Sequence, residues 1–171
     1  MSEAATHAAI ARARTGGLGR SEAPTVADVQ AALADVPDPE LPVLSVVDLG
    51  IVHRVEVDGR GISVVILPTF VGCPALDVIR ASIADRLAAF GVPVRVDTTF
   101  EVPWTSERIS PAGRRALASV GIAPPSEPEA VRCPFCASGN VVMDSAFGPT
   151  QCRSLFYCRA CRQPFEALKA V

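Results

Sequence analysis

The sequence predicts an α/β (α+β) fold, a small three-stranded sheet with covering helices, followed by a small C-terminal module stapled by cysteines. Three observations carry this. Segments of helical and strand periodicity succeed one another in the order helix, strand, strand, helix, strand, helix between residues 25 and 121. That order lacks the long βαβ repetition of a dinucleotide-binding fold. Five of the six cysteines lie after residue 130.

The first helix is expected from Thr25, an N-cap with the acidic Asp28 three positions on, followed by Val26, Val29 and Leu33 at helical spacing. "PDPELPV" then forces extended or turn geometry, because each proline fixes its own φ and steers the preceding residue away from the helical region. "IVHRVEV" and "ISVVILP" are β-branched runs joined by Asp58-Gly59-Arg60-Gly61, a hairpin signal. Leu76, Ile79, Ile83 and Leu87 recur at three or four residue steps; with Pro74 at the first turn and Gly91 at the C-cap they predict a helix over 74–90. "VPVRVDTTFEV" alternates Val92, Val94, Val96, Thr98, Phe100 and Val102 on one face, a half-buried strand. Ser110 as cap, Pro111 in the first turn and the closing Gly121 predict a third helix despite Gly113.

The segment "APPSEPEA" breaks the pattern and reads as a stiff, solvated, proline-rich linker. The organisation expected is a disordered tail over 1–24, an α/β domain over 25–122, the linker over 123–131 and the cysteine module over 132–171. With 171 residues, 49% apolar and 20% charged, the chain can bury one core and carry one small extra module. A net charge of -2 gathers neither nucleic acid nor anionic membrane by its overall field. Apolar runs are all interrupted well short of the roughly 18 residues of a membrane span. The tail lacks a secretory core and cleavage site, so six cysteines suggest a reducing cytoplasm, where closely spaced thiols hold metal more often than they form disulfides.

Cys133, Cys136, Cys158 and Cys161 form two C-x-x-C pairs, whose turns can bring four thiolates to a tetrahedron around one structural zinc. About 40 residues with few large apolar side chains need such a staple. The module is therefore zinc-ribbon-like, with iron or a redox-active dithiol as the alternatives. Cys152 has no C-x-x-C partner and is either a small buried hydrophobe or an exchangeable ligand. Arg132, Arg153, Arg159, Arg162 and Lys169 against Asp144 and Glu166 make a modest basic excess. Few aromatic stacking residues accompany it, so a protein-docking face is favoured over nucleic acid.

The sixth cysteine, Cys73, follows Gly72 in "LPTFVGCPALDVIR". If the helix begins at Pro74, Cys73 occupies its cap, where free amides and the dipole lower a thiol pKa and make a better nucleophile or soft-metal ligand. The alternative is an inert buried cysteine. His7 lies in the tail and His53 in a strand with its side chain expected on the exposed face, so a Cys-His hydrolase is poorly supported. No Glu-x-x-His pair exists to build a carboxylate-bridged di-iron centre, and no phosphate-binding loop is present. Asp38, Glu40 and Asp48 are the remaining polar candidates, as turn caps or as partners facing Cys73 across the sheet.

"DPELPVLSVVDLGIV", "PTFVGCPALDVIR" and "PWTSERISPAGRRAL" resemble the MIP18 (DUF59) family, and the five-cysteine tail "CPFC...FGPTQCRSLFYCRACRQPFEALK" resembles that of the PaaD (PaaJ) components of bacterial phenylacetyl-CoA epoxidase systems. The family's GCP cysteine maps onto Cys73, with Thr69 and Gly72 in the same motif, its DPE motif onto Asp38 to Glu40, and its Trp after proline onto Trp104. Leu67 and "FEVPWTSER" depart from the usual pattern without touching Cys73. The resemblance implies a non-catalytic accessory subunit that assists iron-sulfur or di-iron centre assembly, with Cys73 transiently holding iron or a cluster. It implies as clients a separate di-iron oxygenase subunit and an iron-sulfur flavin reductase. A single thiolate cannot complete a four-thiolate cluster site, so stable binding requires Cys152, a second copy in a homo-oligomer, or a client.

Overall fold

The structure is a computed structural model that describes residues 23–70 and 72–171; residues 1–22 of the tail expected to be disordered, His7 among them, lie outside the described residues. Helix α1 (Val26–Leu33) starts as its sequence dictates: the Thr25 hydroxyl accepts from the Asp28 amide while the Asp28 carboxylate accepts from the Thr25 amide, a closed capping box. It buries Val29, Ala32 and Leu33. The hairpin of β1 (Val52–Asp58) and β2 (Gly61–Ile66) pairs antiparallel, and β3 (Val94–Thr98) joins β2 in parallel, giving the order β1-β2-β3. A parallel pair needs a crossover, and α2 (Leu76–Leu87) supplies it, burying Ile79, Ile83 and Leu87. Strand β3 stops at Thr98, so Phe100 and Val102 lie beyond it and are exposed.

Helix α3 (Pro111–Ser119) has the expected Ser110 cap, whose hydroxyl accepts from the Gly113 amide. Gly113 fits a close packing rather than a need for backbone freedom. A Cβ there would lie 3.1 Å from the Asp48 carbonyl and 3.2 Å from both Ile109 and Leu44. Asp48 ties this helix down, accepting from Ser110 Oγ at 2.6 Å and from Ser45 Oγ at 2.9 Å. It is thus a turn and helix anchor.

Two sequence expectations are corrected. The proline-rich segment is not a solvated linker throughout, because β4 (Ile122–Ser126) pairs in parallel with β7 (Pro164–Lys169). The prolines sit where an edge strand tolerates them: the register is irregular between Ala123 and Ser126, and β4 has a neighbour on one side only. The second correction concerns α2, which begins at Leu76 with Ala75 as N-cap, placing Pro74 before the helix and Cys73 in the preceding turn.

The C-terminal sheet is completed by β5 (Val141–Ser145) and β6 (Arg153–Cys158), in the order β4-β7-β6-β5. Its own core is small: Ala123, Val131, Phe156, Phe165 and Ala167 with two cysteines, Cys133 and Cys158. The sheet also packs against the first unit. Leu168 belongs to the larger core, and the Ser106 amide donates to the Val171 carbonyl at 3.1 Å.

Candidate functional site

Two sets of cysteines occupy different places. In the ribbon, Cys133 and Cys136 lie on one turn and Cys158 and Cys161 on the other, with all four sulfurs within 4.8 Å of one another. The turns are copies in backbone terms. The amide after the second cysteine returns to the carbonyl of the first (Ala137 to Cys133, Arg162 to Cys158), each at 2.8 Å. Ala137 and Arg162 both take positive φ, 59° and 61°. Two non-glycine residues held left-handed at matching places show that the turns are shaped around the thiols.

The donor set fits a metal. Four thiolates about 2.3 Å from a tetrahedral zinc would stand about 3.8 Å apart, and here Cys133 Sγ lies 3.6 Å from Cys161 Sγ and Cys136 Sγ 3.6 Å from Cys158 Sγ. The Cys161 amide, aided by that of Ala160, draws the Cys158 thiol down to about 7, whereas burial and the other three thiols push Cys161 up to about 12. One thiol ready to ionise beside others that resist it describes a cluster that sheds protons when a cation arrives. The four cysteines form a metal-binding cluster.

The second set lines a cavity of about 220 Å³ between the two sheets, whose walls include Asp38, Glu40, Cys73, Trp104 and Cys152. A shallower recess of about 310 Å³ adjoins it and shares Glu40, Thr69, Phe70, Cys73, Gln151 and Cys152. The DPE segment, the turn before α2 and the turn before β6 therefore meet at one place. Gly72, with φ +85°, makes the turn that presents Cys73. Trp104 is 5% exposed and donates from Nε1 to the Leu49 carbonyl at 3.0 Å, which fixes one wall. His53 is exposed on β1 and does not reach this cavity.

The expected lowering of the Cys73 pKa is overturned. Burial pushes this thiol up, and the Ala75 amide only partly offsets it, while the charges of Glu40, Asp38 and Cys152 push it further in the same direction. Position before a helix does not make a nucleophile when the thiol is half-buried among carboxylates.

Asp38 is both a turn cap and a neighbour of Cys73. Its Oδ1 accepts from the Glu40 amide at 2.9 Å and the Leu41 amide at 2.8 Å, and its side chain is buried. Burial raises its pKa from 3.8 against the opposing pull of the Leu41 and Glu40 amides and Arg153. Ionisation of a group with a raised pKa opposes folding, so its stabilising contribution is full below 3.8 and declines as pH climbs through the folded value. Asp38→Ala is expected to cost about 1–3 kcal/mol by stranding the Leu41 amide, and Asp38→Asn, which keeps an acceptor, less than about 1 kcal/mol. Urea unfolding at pH 5 and pH 8 checks both, and the pH dependence contributed by this group disappears in Asp38→Asn.

Sequence reasoning placed Arg153 on a basic face. It is instead a clamp, pairing with Glu166 at 2.6 Å, donating to Thr150 Oγ1 at 3.0 Å and reaching the Glu40 carbonyl at 3.4 Å. Its partner lies on the next strand, where Leu155 pairs with Glu166. Opposite charges at diagonal positions of neighbouring strands were the available signal.

Comparison with known proteins follows this division. Residues 26–99 match the family described as iron-sulfur cluster assembly protein, and residues 119–169 match the PaaD zinc beta ribbon domain. A relative from Escherichia coli (strain K12), named as the D component of 1,2-phenylacetyl-CoA epoxidase, is 37% identical over 156 residues, 86% of this chain and 94% of its own length. Among solved structures, the DUF59 domain from Bacillus anthracis is 29% identical and covers 53% of this chain and 89% of its own, with a TM-score of 0.50. A conserved hypothetical protein from Thermotoga maritima, 37% identical, covers 54% and 92% with a TM-score of 0.48. With an iron-sulfur-assembly unit followed by a zinc beta ribbon along one chain, and a relative matched over nearly its whole length, this protein belongs to the PaaD family of 1,2-phenylacetyl-CoA epoxidase components.

Proposed function

We propose that the protein is a non-catalytic accessory subunit of a phenylacetyl-CoA epoxidase system, which assists the assembly of iron-sulfur or di-iron centres in partner subunits. The observation that carries this reading is the cavity: a thiol, Cys73, faces carboxylates and a second thiol, with no histidine among its lining residues. Such a set suits holding a cation and lacks the histidine that most often activates a cysteine nucleophile. Asp38, Glu40, Thr69, Gly72 and Trp104 shape the place where Cys73 is presented. Cys73 gives up its proton when it takes iron, and the half-buried, charge-opposed thiol favours a hold that is readily released to a client. The clients are the di-iron oxygenase and the iron-sulfur flavin reductase of the system.

The ribbon has a separate, architectural role. Zinc is its metal, held by Cys133, Cys136, Cys158 and Cys161, because four thiolates with no open position make a structural site. The reading is tested by reconstituting the epoxidase with no added protein, with wild type and with Cys73→Ser, measuring product and the iron content of each partner. Wild type is expected to raise both, and Cys73→Ser to leave them at the level reached without the protein. Full activity and iron loading in its absence would refute the assembly role.

A further inference from the structure

Cys152 is the one ribbon thiol that the zinc site leaves over. It is neither deeply buried nor free on the surface, and it lines both the cavity and the adjoining recess together with Cys73 and Glu40. A cysteine serving only as core filler has no reason to border both.

Its position is held from several sides. The Lys169 amide donates to the Cys152 carbonyl at 2.9 Å, and Thr150 Oγ1 lies 3.1 Å from Cys152 Sγ. Arg153 then joins the Thr150 hydroxyl to the carbonyl of Glu40, so the turn carrying Cys152 is tied to the segment carrying Asp38 and Glu40. Asp38, 6% exposed overall, accepts its hydrogen bonds through Oδ1 and leaves Oδ2 reachable from solvent. Two thiols and two carboxylates thus line one largely apolar cavity, a charge arrangement that a divalent cation would neutralise.

The geometry points to one mononuclear iron(II) site whose thiolate ligands are Cys73 from the sheet domain and Cys152 from the ribbon, with the Glu40 carboxylate as an oxygen ligand. This rests on the assembly role proposed above and deepens it, because neither unit has the site alone. Mixed sulfur and oxygen donors suit a borderline divalent ion. Each thiol loses one proton on binding, and the iron stays divalent. Among the described residues only the four ribbon cysteines bring their ligand atoms within 4.8 Å of one another. The ligand atoms of Cys73, Cys152 and Glu40 are therefore spread more widely than those of the zinc site, and binding of the ion has to draw them together.

The test uses the full chain, reduced, with the ribbon loaded with zinc, and titrates iron(II) without oxygen while following thiolate-to-iron charge-transfer absorbance. Wild type is expected to bind iron in addition to its zinc. Cys73→Ser and Cys152→Ser should each weaken iron binding about 100-fold, the share of one ligand in a structural site's affinity, and reduce the charge-transfer band. Zinc content shows that each variant has a folded ribbon; Cys152→Ala replaces Cys152→Ser if the latter loses zinc. Wild-type affinity and absorbance in the Cys152 variant, or no iron uptake by wild type, would overturn the two-thiol site. A Cys152 variant that binds iron normally and still matures the epoxidase, beside a Cys73→Ser that fails, would overturn it while leaving the assembly role intact.

Discussion

Cys158→Ser, or removal of metal by a chelator, is expected to unfold the C-terminal sheet and leave α1, α2 and the first sheet formed. The reason is the size of the ribbon's core. Its buried members are few, two of them are cysteines of the metal-binding cluster, and its two buried phenylalanines, Phe156 and Phe165, stack with ring centroids 5.6 Å apart. A module of this size gains only about 3–5 kcal/mol from its own core, whereas a four-thiolate zinc site contributes about 10–16 kcal/mol at neutral pH. Without the ion the balance goes to the unfolded chain. Hydrogen exchange of the β6 amides is the direct readout. Amides that stay protected after metal removal would show that the ribbon stands on packing alone.

Trp104→Ala is expected to destabilise the first unit by about 3–5 kcal/mol, the usual cost of removing a large buried aromatic side chain. Trp104 is part of the main core, and its indole spans from the buried Leu49 carbonyl to the cavity wall. Trp104→Phe separates the two contributions. It restores most of the packing and loses the hydrogen bond, so a cost of about 1–2 kcal/mol is expected. Urea unfolding measures both. Equal losses in the two variants would mean that the hydrogen bond, not the ring, carries the effect. Since the alanine also enlarges the cavity beside Cys73, its iron affinity should fall even where the protein is folded.

Elements whose signals are local were legible in the sequence. The Thr25 box, the Gly59-containing hairpin, the Ser110–Pro111 start of α3 and the two C-x-x-C turns each depend on residues within a few positions of one another. Errors arose where a distant partner decides. Pro124 and Pro125 resemble a linker until β7, some 40 positions away, offers an edge to pair with. Pro74 resembles a helix start, yet the first regular turn waits until Leu76. Cys73 by sequence sits beside a helix dipole, but burial pushes its pKa up, and the DPE segment and a turn of the ribbon add charges that push the same way. Cys152 was one of three partners that the sequence allowed for Cys73, but nothing local singled it out, since 79 positions separate the two residues that share the cavity. No periodicity reports a contact of that range.

Strand β6 has one further consequence. It ends at Cys158, a ligand of the ribbon's cluster, and begins at Arg153, next to the thiol that borders the cavity. Those two ends stand about 17 Å apart along an extended chain. A single strand therefore makes the outer thiol and its arginine clamp depend on the inner ion. A newly made copy has to be supplied with its own metal before it can offer a finished cleft to anything else. On the iron site proposed above, chains starved of that first ion would stay out of competition for the second, an order of loading written into one β-strand.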